Sequence, residues 1–143
     1  MGVKERIQEI AGKENVSDKE DVLIRYSRDS SLVPPNMPDY VVKVKEKEVI
    51  CEILNFANEG KIPIVPVSSG VHFYGITIPH RGGIILDLSE MDRILEIDDV
   101  NRKAKIEPGV TWDKLQRELK EKGFMALPPL LPPSKRSVLT DYL

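Results

Sequence analysis

The sequence predicts an α/β fold, or α+β in a looser classification: a small parallel β-α-β subdomain followed by a mixed or antiparallel sheet with helices. Three patterns predict it. Tyr40 to Val44, Lys47 to Glu59 and Ile62 to Val67 read as strand, helix and strand. Ile94 to Ile97 and Ala104 to Glu107 read as a hairpin. Trp112 to Lys122 repeats its apolar residues at helical spacing. A strand, a helix and a second strand in succession make a parallel pair with a right-handed crossover.

The elements follow in order. Residues 3–11 place Val3, Ile7 and Ile10 on one helical face. Asn15 to Asp21 reads as a turn, and Ser17 followed by Glu20 is a capping-box pattern for a short helix to about Ile24. Tyr26 to Pro38 holds Ser, Asp, Asn and three prolines, the composition of a loop. In the Lys47–Glu59 helix, Val49, Ile50, Ile53, Leu54 and Ala57 share a face and Gly60 stops the helix. Cys51 is expected beside that buried face as a structural thiol. Ile62 to Val67 has the flat apolar pattern of a buried parallel strand. Gly83 to Leu88 is a third strand. Asp98-Asp99-Val100-Asn101 suits a tight turn, and Pro108-Gly109 breaks the strand after it. Thr111 caps the next helix, with Trp112, Leu115 and Leu119 inward and Gly123 at its end.

Composition bounds the function. The 143 residues suffice for one compact domain, and 41% hydrophobic with 31% charged residues describes a globular chain. A net charge of -2, from 21 basic and 23 acidic residues, offers no footprint for nucleic acid or an anionic membrane. No apolar run nears the ~20 residues that span a bilayer. One cysteine excludes an internal disulfide, and a cytoplasmic location is expected. Two histidines and that cysteine lack metal-ligand spacing, so no metal site is expected. Asp18, Glu20 and Asp21 read as a solvated helix face.

Pro66 to Gly75 (PVSSGVHFYG) follows the end of a predicted parallel strand, where α/β sheets place ligands. Small residues let backbone approach a ligand, and successive N–H groups can form an anion nest. Ser68 and Ser69 add hydroxyls, and Gly70 and Gly75 permit unusual backbone angles. Taken alone, the same residues also suit a surface turn between two strands.

PVSSGVHFYG, IPHRGGIILDLSEMDRILEID and AKIEPGVTWDKLQREL occur in this order and spacing. Together they resemble the FAD-binding domain of the vanillyl-alcohol oxidase and p-cresol methylhydroxylase family of flavoproteins, which includes D-lactate and glycolate dehydrogenase subunits. The resemblance runs from about Tyr26 to Val138. It implies that Val67, Ser68, Ser69, Gly70 and Val71 line the FAD phosphates. Phe73, Tyr74 and Gly75 complete that loop, and Pro108, Gly109 and Val110 lie close to the cofactor. Some relatives attach flavin covalently to a loop histidine. Here that position falls on Val71 and His72 comes one residue late, so FAD is expected to bind noncovalently. His80 is expected in an exposed turn and Trp112 in the core.

The resemblance also implies a single partial FAD-binding domain over 1–143. Its parts are an N-terminal helical segment (1–25), the β-α-β unit with the cofactor loop (40–88), the hairpin and helix (94–124) and a proline-rich tail (127–143). In the family a second glycine-rich stretch and a substrate domain follow. Pro132 to Val138 lacks paired glycines, so the chain reads as the first half of a flavin-binding domain. It is then a truncated product, one subunit of a split enzyme, or a module that has lost the flavin. No catalytic residue is expected in it. Its expected role is FAD binding in an oxidoreductase of hydroxy acids or alcohols, with a noncatalytic binding or assembly module as the alternative. A homo-oligomer or a missing-half partner subunit would cover the apolar surface left over, with Leu127 to Pro133 as a candidate contact.

Overall fold

The computed structural model describes residues 2–69, 72–127 and 135–141. Helix α1 (Val3–Ala11) buries Ile7 and ends at Gly12, whose φ of 88° suits glycine. A 3₁₀ turn (Lys13–Asn15) leads into the short strand β1 (Val16–Ser17), then α2 (Glu20–Tyr26). The capping box expected at Ser17 is not formed. Ser17 pairs with Val41 in the sheet, its hydroxyl accepts the Lys19 N–H at 3.3 Å, and α2 starts after Lys19 with no side-chain cap. Strand pairing has drawn Ser17 away from the helix end.

Strands β2 (Tyr40–Lys43), β3 (Ile64–Val67) and β4 (Ile84–Asp87) complete a four-stranded sheet in the order β1-β2-β4-β3. Helix α3 (Lys47–Gly60) makes the crossover from β2 to β3. Both β2 and β3 run parallel to β4, which lies between them, while β1 runs antiparallel at the edge. The strand expected to be buried on account of its flat apolar pattern, β3, is therefore an edge strand with Pro66 exposed. A crossover places two strands in one sheet without making them neighbours, and the fully buried β4 takes the centre. Pro66 lacks an N–H, and an edge tolerates that loss.

Alternation along the strands splits the core between two faces. Val42, Ile84 and Leu86 join Ile7, Val44 and Ile53 under α1 and α3. Val41, Val67 and Ile85 turn to the other face, against Val22, Leu23 and Tyr26 of α2. Each such side chain contributes about 1.5–3 kcal/mol on full burial. The α3 stripe centres on Ile53 and Ala57. Leu54 is 44% exposed and Cys51 is exposed, against expectation. At 3.6 residues per turn, a residue two positions from Ile53 points to the opposite face, and Leu54 lies a quarter turn off the stripe.

The second sheet is the hairpin alone, β5 (Ile94–Asp98) with β6 (Lys103–Ile106). Its base is closed by Glu107, whose carboxylate accepts Arg93 N–H at 2.7 Å and the Arg93 guanidinium at 2.7 and 2.9 Å. Helix α4 (Trp112–Glu121) is capped by Thr111, which accepts the Lys114 N–H at 3.3 Å. Trp112, Leu115 and Leu119 pack with Val110 and Val138 over Ile94, Ile97 and Ile106, as the periodicity requires. No helix among the described residues is long and apolar enough to cross a membrane.

Candidate cofactor-binding site

The parallel strands end together at Lys43, Asp87 and Val67. Chain leaving β3 and β4 at this edge forms the site. Val67 is buried at the end of β3, and Ser68 and Ser69 are buried beyond it. Phe73 and Tyr74 are exposed at 38% and 76%. Gly75 has a φ of +74°, and a Cβ there would lie 2.5 Å from a methyl of Val33, so the position admits no side chain. Gly70 and Val71 lie outside the described residues.

The second predicted segment packs against the turn after β4. Gly109 donates its N–H to Met91 O at 2.8 Å. A Cβ on it would meet Ser89 O at 2.5 Å, Leu88 O at 2.7 Å and Met91 O at 2.8 Å. Glycine is required here by close backbone approach rather than by its φ. Val110 is fully buried, and Pro108 precedes Gly109 in the turn.

The C-terminal segment 135–141 joins the two loops. Its backbone docks on the second: Trp112 N–H donates to Arg136 O at 3.1 Å and Val138 N–H to Val110 O at 2.9 Å. Its side chains dock on the first. Ser68 lies 2.7 Å from Ser137 and 3.3 Å from Thr140, Ser69 lies 3.1 Å from Thr140, and Ser137 lies 2.8 Å from Thr140, all hydroxyl to hydroxyl and all buried. The hydroxyls that the sequence offers to a ligand are thus engaged with Ser137 and Thr140. Arg136 pairs with Asp141 and stacks over the Phe73 ring at 5.3 Å, and Trp112 Nε1 donates to Asp141 at 2.6 Å. Nothing in the spacing of Ser137 and Thr140 marks their link to the first loop, because Ser68 and Ser69 are distant in the chain. Of the tail proposed as a contact, residues 128–134 lie outside the described residues.

On the other side, the end of α2 and the loop after it close a cavity of about 360 Å³ with Val67, Ser69, His72 and Asp87. Asp29 accepts Gly75 N–H at 2.7 Å and Ser31 N–H at 2.8 Å. Burial alone would raise the Asp29 carboxyl, but these bonds outweigh it and hold the group below its usual range. The Tyr26 hydroxyl donates to Asp87 at 2.6 Å, and Ser89 N–H donates to the other Asp87 oxygen at 2.9 Å. Burial and then the bond to Asp87 push the Tyr26 hydroxyl well above its ordinary value. Both carboxylates in the wall are therefore already satisfied.

His72 is different. It is 6% exposed, and neither ring nitrogen has a hydrogen-bond partner among the described residues. Burial pushes its imidazole below the ordinary value; the Ser69 backbone and Asp29 oppose this, and Arg136 adds to it. His80 is exposed beside a turn, as expected. Among the described residues no group of three or more His, Cys, Asp or Glu stands where it could hold a metal ion.

Comparison with known proteins agrees with this architecture. Residues 38–135 match the FAD binding domain family. The chain is 36% identical over 126 residues to the glycolate oxidase subunit GlcD of Bacillus subtilis, covering 88% of this chain and 27% of that protein. It is 31% identical over 134 residues to the 4-cresol dehydrogenase [hydroxylating] flavoprotein subunit of Pseudomonas putida, covering 91% of this chain and 26% of that one. The solved structure of p-cresol methylhydroxylase with substrate bound superposes with a TM-score of 0.82 at 29% identity, covering 97% of this chain and 28% of the other. The chain thus spans about a quarter of the length of these relatives. With FAD as the family's cofactor and both small-residue turns at the carboxyl edge of the parallel strands, this chain belongs to the FAD binding domain family.

Proposed function

We propose that this chain is the FAD-holding portion of a flavin-dependent oxidoreductase that acts on a hydroxy acid or an alcohol. One observation carries the reading: Ser68 and Ser69 at the end of β3 and Val110 in the second turn, separate in the sequence, are tied together by segment 135–141. In this reading Val67, Ser68, Ser69, Gly70 and Val71 line the FAD phosphates, with Phe73, Tyr74, Gly75, Pro108, Gly109 and Val110 around them. Binding is noncovalent. When bound, the flavin supplies the acceptor for a hydride from the substrate. This chain's part is to hold and orient the cofactor.

Turnover then needs a substrate domain, on a longer chain or a partner subunit, or a homo-oligomer to complete the site. Exposed apolar side chains support that need, notably Tyr74, Ile76, Met125 and Leu127 at 76%, 53%, 74% and 80%. A cytoplasmic setting belongs to the same reading. A second reading, a noncatalytic binding module, draws support from the hydroxyl network of Ser68, Ser69, Ser137 and Thr140, in which the cofactor loop holds the C-terminal segment 135–141.

Visible spectroscopy of the purified chain tests the proposal. Flavin absorption bands, or a rise in melting temperature with added FAD, are expected. A colourless protein indifferent to FAD and ADP would leave only the second reading.

A further inference from the structure

We infer that Glu107 is a positioning residue for the cofactor: its carboxylate, clasped by Arg93, fixes where the Pro108–Gly109–Val110 turn stands and so sets the affinity for FAD. The inference rests on the FAD-binding reading and adds to it a residue that acts through the turn rather than by contact.

The turn has no amide of its own left for a ligand. Pro108 lacks an N–H, Gly109 donates to Met91 O at 2.8 Å, and Val110 donates back to Glu107 O at 3.1 Å. What the turn offers is a surface held at a set place. That place is narrowly defined, because Gly109 lies against the carbonyl oxygens of Leu88, Ser89 and Met91 with no room for a Cβ. Packing this close tolerates little displacement.

Glu107 stands where β6 ends and the turn begins, and it is 7% exposed. Every polar group it has is engaged. Its N–H donates to Arg93 O at 3.0 Å, and its carbonyl accepts from Val110. Oε2 accepts the Arg93 N–H at 2.7 Å, and Oε1 accepts Nε and Nη2 of the same residue at 2.9 and 2.7 Å. The backbone bond alone would close the base of the hairpin. A buried carboxylate is costly to desolvate, and the fork of Arg93 is what offsets that cost here. The side chain therefore adds stiffness at the point from which the turn departs. Arg93 carries the tie further. Its guanidinium, 61% exposed, also reaches Glu46 at 3.7 Å, the N-cap residue of α3. Glu107, Arg93 and Glu46 thus link the second turn to the crossover helix of the parallel sheet. This is a tie between the two parts of the chain besides segment 135–141.

FAD titrations of the full chain followed by flavin fluorescence, at a temperature where every variant is folded, test the inference. Glu107→Gln should weaken FAD binding about tenfold, the effect of one misplaced hydrogen-bonded contact. The new amide sets an NH2 against the guanidinium. Adding Arg93→Gln lets two amides pair and should recover part of the lost affinity. Ile7→Val, in the core under α1 and α3, controls for stability: it should lower the melting temperature and leave FAD affinity unchanged. In the chain without FAD, Glu107→Gln should shift the amide NMR signals of Gly109 and Val110. If those signals stay in place, if Glu107→Gln binds FAD as wild type does, or if affinity simply follows melting temperature across the variants, the inference is overturned and the FAD reading stands. If the wild-type chain binds no FAD, both fall.

Discussion

The carboxylate of Asp29 accepts the backbone N–H of Gly75 at 2.7 Å, and Ser30 N–H next to it donates to His72 O at 2.9 Å. These two bonds lace the loop after α2 to the far end of the cofactor loop. The near end is laced to segment 135–141 by Ser68 and Ser69. Through its described residues, the loop is anchored from both sides.

Asp29→Ala removes the acceptor for Gly75 and Ser31 and leaves two backbone donors short. A loss of about 1–3 kcal/mol in urea unfolding is expected, and Asp29→Asn, which keeps one acceptor, should lose less. The pH dependence follows from the depressed Asp29 carboxyl. A group whose folded value lies below its unfolded value, roughly 3.9 for Asp, contributes in full above the unfolded value. That contribution is lost as pH falls through the folded value. The gap between wild type and Asp29→Asn should therefore hold at neutral pH and close in strong acid. A gap that widens on acidification would refute this role.

Gly109→Ala and Gly123→Ala separate two reasons for glycine. At Gly109 a methyl would strike three carbonyl oxygens within 2.8 Å. At Gly123 nothing lies within 4 Å, and only the φ of +75° resists substitution. Thermal and urea unfolding should show about 1–3 kcal/mol or more lost at Gly109 and roughly 1–2 kcal/mol at Gly123. Gly109→Ala should also disturb the Leu88–Met91 turn, read as amide shifts by NMR, while Gly123→Ala leaves that turn unchanged. Equal and local effects at both positions would contradict the packing argument.

Thr140→Val keeps shape and removes the hydroxyl that meets Ser68, Ser69 and Ser137. A loss of about 1–3 kcal/mol is expected, since buried hydroxyls are left without a partner. Ser68→Ala should cost a similar amount, and the double variant should cost less than the sum, with a coupling of about 0.5–3 kcal/mol. Strict additivity in the cycle would show that the four hydroxyls do not act as one network.

The elements were legible where periodicity spoke for them. Trp112, Leu115 and Leu119 repeat at helical spacing and are buried as expected. Gly109 and Gly75 were singled out as small residues, and in both cases a side chain has no room. Ser17 misled because a capping signal is local and the sheet edge that recruited it is not. Cys51 misled because adjacency to a buried face in sequence is a rotation away from it in a helix. The long-range bonds of Asp29 to Gly75 and of Ser137 and Thr140 to Ser68 and Ser69 carry no local signal, since those partners lie far along the chain.

The sequence by itself determined the three parallel strands, the crossover helix, the hairpin and the family, because these depend on short-range periodicity and on motifs read within one segment, whereas the short edge strand β1 reads as a turn. Tertiary structure alone decided that β4 and not β3 lies inside the sheet, that segment 135–141 bridges the two small-residue turns, and that His72 is buried with neither ring nitrogen hydrogen-bonded among the described residues. Strand order and side-chain satisfaction depend on which distant surfaces meet, and local residue patterns do not encode that pairing directly.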